Sequence, residues 1–205
     1  MSSGSAVGAV LAGYFAAVGA FPGVLLGPVS LLVAGIGTGA RAIDGRLRQP
    51  GREAKRPKGR RPEEEASVAS RVAVPTSVPA LLVGHTYAWD HRLAGVLRVG
   101  RAEAKREAAE GRLELLEAIA SHGAATFNTA MFVRPLLHAA SPQQGGLLSR
   151  ADFITRAEDI DCPAVTESTS LGSVLRAPWA NQPGEAAGVG HALCAVDGAG
   201  QLAAL

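Results

Sequence analysis

The chain has 205 residues, of which 47% are apolar, and its 20 basic and 18 acidic side chains leave a formal net charge of +2. This composition fits one ordinary domain, or two very small ones, and excludes a disordered or acidic solvating protein. Gly and Pro contribute 25 and 12 residues, whereas aromatic residues make up only 4%. We therefore expect many tight turns and a core built mainly from Ala, Val and Leu.

The first forty residues form an apolar run without any ionisable side chain. A membrane-spanning helix needs about 20 apolar residues without strong breakers, whereas Pro22 and Pro28 divide this run and Gly recurs through it. We therefore predict a buried helix over residues 6–21 and a buried strand over residues 29–34, as in layered proteins whose central sheet is covered. A membrane anchor over residues 6–36, with the following basic segment on anionic lipid, is the alternative.

A strongly charged segment follows a short strand that is predicted to end near Asp44. Its sequence, RLRQPGREAKRPKGRRPEEEAS, has no periodic apolar face, so we predict a basic surface loop at about residues 47–67. No aromatic residue is interleaved with the basic ones, and three consecutive Glu follow them. A solvated loop is therefore favoured over a nucleic-acid-binding patch.

The middle of the chain predicts a strand that Pro75 stops and then a helix that begins near Pro79. Thr76 or Ser77 is the expected cap of that helix. The clearest helical pattern in the chain covers residues 102–122, where apolar residues recur at helical spacing.

The C-terminal half continues this helical pattern and then changes to turns and strands. Gly123 is the expected end of the helix over residues 102–122, and a second helix is predicted over residues 127–140. A turn at residues 141–146 precedes Ser149, which we expect to cap a short helical turn. The last segment predicts a β-hairpin whose turn lies at residues 197–200.

No motif in the sequence identifies a metal site or a bound cofactor, and we expect neither. The five histidines, at positions 85, 91, 122, 138 and 191, lack the spacing of a metal motif. The GIGTG stretch at residues 35–39 lacks the Lys-Ser or Lys-Thr pair of a phosphate-binding loop and has no helix after it. We interpret it as a glycine turn in which backbones pack closely.

The chain contains only two cysteines, Cys162 and Cys194. Two cysteines cannot form a disulfide framework or a four-ligand zinc site, which favours a reducing compartment and a cytoplasmic location. A packing role is the expectation for both thiols.

Six segments along the chain carry a resemblance that no single motif does. They resemble, in the same order, segments of the large subunit of the γ-glutamyltransferase (γ-glutamyl transpeptidase) family of N-terminal-nucleophile hydrolases. The segments are GIGTG at 35–39, AIDGRLRQP at 42–50, VAVPTSVPALL at 72–82, LLEAIASHGAATF at 115–127, GGLLSRADF at 145–153 and GHALCAVDGAGQLAAL at 190–205.

This resemblance implies an α+β fold, the four-layer αββα sandwich of the N-terminal-nucleophile hydrolases, of which residues 1–205 supply one part as a single domain. AIDGRLRQP keeps Ile43, Asp44, Arg46 and Pro50 of the family's "ID-x-RE-x-AP" segment. The matching arginine of the family binds the α-carboxylate of the glutamyl group. The resemblance therefore implies that Arg46 binds substrate, since a guanidinium binds a carboxylate through two parallel hydrogen bonds.

The departures from the family pattern concern its chemistry. Val189 and Gly190 precede His191 where the family has its catalytic threonine. Leu47 replaces the glutamate that follows the matching arginine, and Thr76 replaces the glycine that follows Pro75. We therefore expect no catalytic nucleophile in this chain and a substrate other than glutathione.

One hypothesis reconciles the resemblance with the missing nucleophile. In this hypothesis Leu205 lies at a self-cleavage junction, and a second polypeptide that begins with Thr, or with Ser or Cys, completes an αβ heterodimer. Its terminal α-amine would act as the base for its own hydroxyl in an attack on a small amino-acid-like amide, as a step of a biosynthetic pathway. The alternative is a catalytically silent scaffold of the same fold that binds a ligand or a partner.

Overall fold

A computed structural model describes residues 5–35, 37, 39–52, 67–88, 91–128, 130–170, 172–180 and 192–205. Its helices are α1 (Ala6–Ala20), α2 (Ser77–His85), α3 (Leu93–Arg106), α4 (Glu110–His122) and α5 (Ala130–Ala140). Its strands are β1 (Val29–Ala34), β2 (Arg41–Gly45), β3 (Asp161–Pro163), β4 (Val165–Thr169), β5 (Gly172–Arg176), β6 (Cys194–Val196) and β7 (Leu202–Ala204). Within these residues, no helix combines the length and apolar character that crossing a bilayer would require.

Five strands form one antiparallel sheet in the order β3-β2-β1-β7-β6, and β4 and β5 form a separate hairpin. In β1, Leu31 pairs with Ile43 of β2, and Val33 pairs with Ala203 of β7. These four side chains are buried and point to the same face of the sheet, since alternate residues of a strand share a face. This face packs against the helices.

The opposite face of the sheet is referred to below as the open face. One row of paired residues crosses all five strands on this face, and the next row lies beside it. Leu202 and Val196, at the β6–β7 side of this face, are 44% and 69% exposed, whereas Ala42 on β2 is fully buried. The open-face residues are Cys162, Ala42, Leu32, Ala204, Cys194, Ala34, Leu202 and Val196.

Helix α1 lies against the covered face of the sheet and is apolar around most of its surface. Such a helix is stable only when it is buried on several sides, and Val7, Leu11 and Phe15 are almost completely buried. The predictions of a buried helix near residues 6–21 and of a strand at residues 29–34 are confirmed.

The N-terminus of α1 is fixed by the C-terminal hairpin. Ser5 Oγ accepts a hydrogen bond from Gly8 N at 3.3 Å and donates one to Gln201 Oε1 at 2.7 Å. Gln201 Nε2 donates to the carbonyl of Tyr87 at 3.1 Å. The turn of the predicted hairpin, confirmed between β6 and β7, thereby links the first helix to the segment after α2.

The helix predicted over residues 102–122 is wrong as one continuous element. The structure has two helices, α3 and α4, and Ala108 between them has a left-handed φ of 48°. Helix α3 begins nine residues before the predicted start, at Leu93. The break allows α4 to fold back, so that Arg112 donates hydrogen bonds to the carbonyls of Gly19 and Ala20 at the end of α1.

The strand expected before Pro75 is also wrong. Residues Val68–Arg71 form a 3₁₀ turn, and only Val74 pairs with another residue, Arg48, in an isolated bridge. Helix α2 begins at Ser77, close to the prediction, and Thr76 occupies its N-cap position, but its side chain makes no capping hydrogen bond. The hydroxyls of Thr76 and Ser77 instead donate to the carbonyls of Arg46 and Leu25.

The remaining elements follow the predictions closely. Helix α4 ends at Gly123, as expected, but α5 begins at Ala130, three residues later than predicted, because a 3₁₀ segment (Gly123–Asn128) lies between the helices. Ser149 caps the short helical turn Arg150–Phe153 in a capping box with Asp152. Of the predicted loop at residues 47–67, residues 53–66 lie outside the described part of the chain.

Candidate functional site

Arg46 directly follows β2 and is held by a carboxylate on the same strand. Its Nε donates to Asp44 Oδ1 at 2.9 Å, and its Nη2 donates to Asp44 Oδ2 at 3.0 Å. The backbone N–H of Arg46 also donates to Asp44 Oδ1, at 3.0 Å. Because residues 44 and 46 are two apart, both side chains lie on the side of the open face.

Trp179 lies over the Arg46 guanidinium. The centre of its ring is 5.0 Å from Arg46 Cζ, within the range of a cation–π contact. Its Nε1 donates to Ser30 Oγ at 3.0 Å, and Ser30 is paired with Asp44 across β1 and β2. Four residues from three parts of the chain therefore form one cluster, the Arg46 cluster: Ser30, Asp44, Arg46 and Trp179.

A hydrogen bond from Thr76 also holds the backbone of Arg46. The hydroxyl of Thr76, a fully buried residue, donates to the Arg46 carbonyl. Thr76 is the residue that departs from the family pattern after Pro75. Its hydroxyl therefore has a structural role here that a glycine cannot perform.

The charges of the cluster stabilise one another. Burial favours the neutral form of Asp44, but the hydrogen bonds from Arg46 and the charges of Arg46 and Arg48 outweigh this effect and lower the pKa of the Asp44 carboxyl. The hydrogen bond to Asp44 raises the pKa of Arg46. Both groups are therefore charged at neutral pH, although 51% of the Arg46 side chain is exposed.

The C-terminal strand reaches the same end of the sheet. In β7, Ala204 pairs with Leu32 of β1, and extending this antiparallel register by one residue sets Leu205 opposite Leu31. Leu205 is also paired with Leu193, since their N–H and C=O groups exchange hydrogen bonds of 2.8 and 2.9 Å. The predicted junction residue therefore lies one position away from the level of Ser30.

Other predicted features do not join the cluster. In the 35–39 segment a methyl group added to Gly35 would lie 3.1 Å from Gln201 Cα, which fits the predicted close packing of backbones. Ile36, Thr38 and His191 lie outside the described residues. Cys162 and Cys194 lie on β3 and β6, the opposite edges of the sheet, and both are free. Burial raises the pKa of the Cys162 thiol.

A cavity also lies away from the Arg46 cluster. It has a volume of about 410 Å³ and lies between the end of α1, α4 and α5, with a mostly apolar lining that includes Phe21, Leu115 and Leu136. No group of three or more potential metal ligands occurs in the described part of the chain.

The chain has the fold of the γ-glutamyltranspeptidases, an α+β fold. A γ-glutamyltranspeptidase from Pseudomonas nitroreducens, complexed with L-DON, superposes with a TM-score of 0.64 at 18% identity, over 86% of this chain and 65% of its own. The Helicobacter pylori γ-glutamyltranspeptidase gives a TM-score of 0.63 at 16% identity, over 86% of this chain and 64% of its own.

These comparisons concern the fold, and the chain spans less than two thirds of the length of either protein. No protein-family model and no curated protein matches the sequence. The predicted fold class and the resemblance are confirmed at the level of structure. Ser30 and Trp179 carry no sequence signal for this site, because only the folded chain brings Ser30 on β1 and the turn after β5 together beside Arg46.

Proposed function

We propose that this chain is the α-type part of a γ-glutamyltranspeptidase-like amidohydrolase or acyltransferase. Its substrate is a small amino-acid-like amide whose α-carboxylate binds Arg46. The nucleophile is the N-terminal Thr, or Ser or Cys, of a second polypeptide that begins after Leu205. No cofactor takes part in this reaction.

The observation that carries the proposal is the register of β7 against β1 and β2. A residue that continues β7 beyond Leu205 would stand opposite Ser30, and Ser30 is opposite Asp44. By strand alternation its side chain would point to the open face, as those of Ser30 and Asp44 do. Strand β1 lies between β2 and β7, so two strand spacings, about 10 Å in all, separate the residue after Leu205 from Asp44. An arginine side chain and a glutamyl group together can span this distance.

The chemistry follows from that placement. The terminal hydroxyl attacks the amide carbon and gives its proton to the free α-amine, whose ordinary pKa of about 8 suits a base at neutral pH. The tetrahedral intermediate then releases the amine, which takes the proton, and an ester to the enzyme remains. Water or a second amine attacks this ester and frees the hydroxyl.

The open face supports the presence of a second polypeptide. A sheet face made of Leu, Val, Ala and Cys side chains is stable when another layer covers it. We infer that the second polypeptide contributes the second sheet of the sandwich. The two unpaired cysteines support the accompanying proposal of a cytoplasmic protein, since reducing compartments keep thiols free.

Expression of the intact gene region, followed by intact-mass analysis and an assay with a γ-glutamyl anilide, tests the proposal. We expect two co-purifying chains, one with N-terminal Thr, Ser or Cys, and release of the free aniline from the γ-glutamyl anilide. A lone chain, or an assembly that binds amino acids without turnover, would instead support a silent scaffold.

The role of Arg46 is tested in that assembly by Arg46→Ala and Arg46→Lys. Loss of a charge-assisted pair at a half-exposed site costs about 2 kcal/mol, so we expect KM to rise about 30-fold in Arg46→Ala. Arg46→Lys should recover only part of this loss, because lysine lacks the two-pronged geometry. Arg52→Ala, an exposed arginine of the same segment, is the control and should leave KM unchanged.

A further inference from the structure

The guanidinium of Arg46 offers only one of its edges to a ligand. Arginine has five N–H donors in a fixed plane, and within the described part of the chain Asp44 takes two of them, the Nε–H and one on Nη2. The donors that remain are both hydrogens of Nη1 and the second hydrogen of Nη2. One hydrogen from each Nη points the same way, and this pair forms the end edge of the fork.

Trp179 and Asp44 together restrict the conformations of the Arg46 side chain. The paired hydrogen bonds to Asp44 prevent rotation of the guanidinium within its plane, and the indole ring, whose centre is 5.0 Å from Cζ, restricts its movement on a second side. An exposed arginine without these contacts would sample many rotamers and would lose that freedom on binding a ligand.

Trp179 is itself held firmly enough to position another group. Its Nε1 is bonded to Ser30 on the central strand, and the turn that carries it is closed by a hydrogen bond from Ala180 N to the Ala177 carbonyl at 2.9 Å. Arg176 at the end of β5 donates to the Ala180 carbonyl at 3.0 Å and pairs with Glu167 of β4 at 2.6 Å. The β4–β5 hairpin therefore anchors the turn.

We propose that Trp179 and Asp44 are positioning residues, which together present the end edge of Arg46 to one carboxylate of an amino-acid-like ligand. This inference rests on the proposed function for the identity of the ligand. Trp179 acts through Arg46 and does not itself take part in the chemistry. The site is then a preorganised carboxylate receptor in which ligand binding changes the surroundings of the indole ring.

Tryptophan fluorescence tests this inference separately from catalysis. The chain contains two tryptophans, so Trp89→Phe makes Trp179 the only reporter in this chain. We expect the emission of Trp179 to change saturably with L-glutamate, and to stay unchanged with the α-amide of glutamate. The response should be absent in Arg46→Met, with the fold of each variant checked by its melting temperature.

Steady-state kinetics of the assembled protein give a second measurement. Trp179→Leu removes the cation–π contact, so we expect KM to rise about 2- to 5-fold with kcat unchanged. Trp179→Phe keeps a ring over the guanidinium and should recover part of the loss. Asp44→Asn should raise KM as well, because a neutral amide fixes the guanidinium less firmly.

The possible outcomes separate the two proposals. A glutamate-dependent fluorescence change without any turnover would support the positioning of Arg46 and contradict the proposed enzyme activity. Turnover with a silent Trp179 and with normal KM in Trp179→Leu would overturn the inference and leave the enzyme proposal intact. If Trp179→Leu does not fold, the KM of Trp179→Phe and the fluorescence titration still test whether Trp179 positions Arg46.

Discussion

The hydroxyl of Thr76 is the smallest group on which the geometry of the candidate site depends. It is buried and donates to the carbonyl of Arg46, so its removal leaves a backbone acceptor without its partner. Such a loss costs about 1–3 kcal/mol. It also frees the residue that is proposed to bind the substrate.

Thr76→Val tests this contact, since valine keeps the shape of threonine without its hydroxyl. We expect the free energy of unfolding to fall by about 1–2 kcal/mol, and KM for the amide substrate to rise. Thr76→Ser keeps the hydroxyl and is the matched control. Urea titration and steady-state kinetics give the two quantities, and equal behaviour of the two variants would contradict the role given to the hydroxyl.

Asp152 is a second residue whose charge holds backbone in place. Its carboxylate accepts hydrogen bonds from Ser149 N and Arg52 N, both at 2.8 Å, and thereby ties the start of the basic loop to the Ser149 turn. Burial favours the neutral acid, but these bonds outweigh burial and lower the pKa of the Asp152 carboxyl.

The lowered pKa of Asp152 makes the stability of the protein depend on pH. Because the pKa of Asp152 is lower in the folded state than in the unfolded chain, its contribution is fully present above the ordinary carboxyl range and is lost as the pH falls through the folded value. We expect Asp152→Asn to unfold more easily at pH 7, by about 1–2 kcal/mol, and to lose less stability on acidification. Urea titrations at pH 7 and pH 3 measure the free energy of unfolding of each variant. Glu158→Gln, in an exposed ion pair, is the control and should change neither the stability at pH 7 nor its loss at pH 3.

Among the elements, those whose side chains are buried by their immediate neighbours were predictable from sequence. Helix α1 and strand β1 carry the continuous apolar pattern that their burial requires, and the β6–β7 hairpin carries two apolar runs around a turn. The break between α3 and α4 carries no such signal. Its residues favour helix, and the chain turns at Ala108 so that α4 packs beside α3 and supplies Arg112 to the end of α1.

Helices α1 and α3 approach so closely that only glycine fits at their crossing. A methyl group added to Gly19 would lie 2.0 Å from the carbonyl oxygen of Gly100, and one added to Gly100 would lie 2.2 Å from that of Phe15. Both obstacles are backbone atoms, which cannot move aside as a flexible side chain can.

Gly100→Ala should therefore destabilise the protein by about 1–3 kcal/mol or more, as overpacking does. Gly95 lies on the same helix, and a methyl group there would meet no described atom within 4 Å. Gly95→Ala should stabilise the protein by up to about 1 kcal/mol, since alanine favours helix. Thermal unfolding of the two variants measures the difference, and a shift of the same sign in both would contradict the crossing geometry.

At the scale of the whole molecule, the sheet rather than any motif creates the candidate site. The sequence resemblance identifies Arg46, but Ser30 and Trp179 are 149 positions apart and meet because the turn after β5 lies against β1 in the folded chain. A turn residue with no periodic pattern gives no sequence signal for a contact at that distance. The pairing of β2, β1 and β7 brings residues of the candidate site together that the sequence pattern does not connect.

The open face gives the last prediction, because a layer that covers it must exclude water from Val196, Leu202 and their neighbours. Val196 is 69% exposed on the edge strand β6, so Val196→Asp should leave the fold of this chain intact. A buried, unpaired carboxylate in the covered assembly costs several kcal/mol. The variant should therefore lose the second polypeptide on size-exclusion chromatography.

Val68→Asp is the matched control, since Val68 is 82% exposed in a 3₁₀ turn outside the sheet. It introduces the same charge and should retain the second polypeptide and its activity. If both variants keep the second polypeptide, then the open face is solvated in the working protein and a second sheet does not pack there. If both lose it, the added charge acts through the net charge of the chain and not through the face, and the layered assembly loses its main structural support.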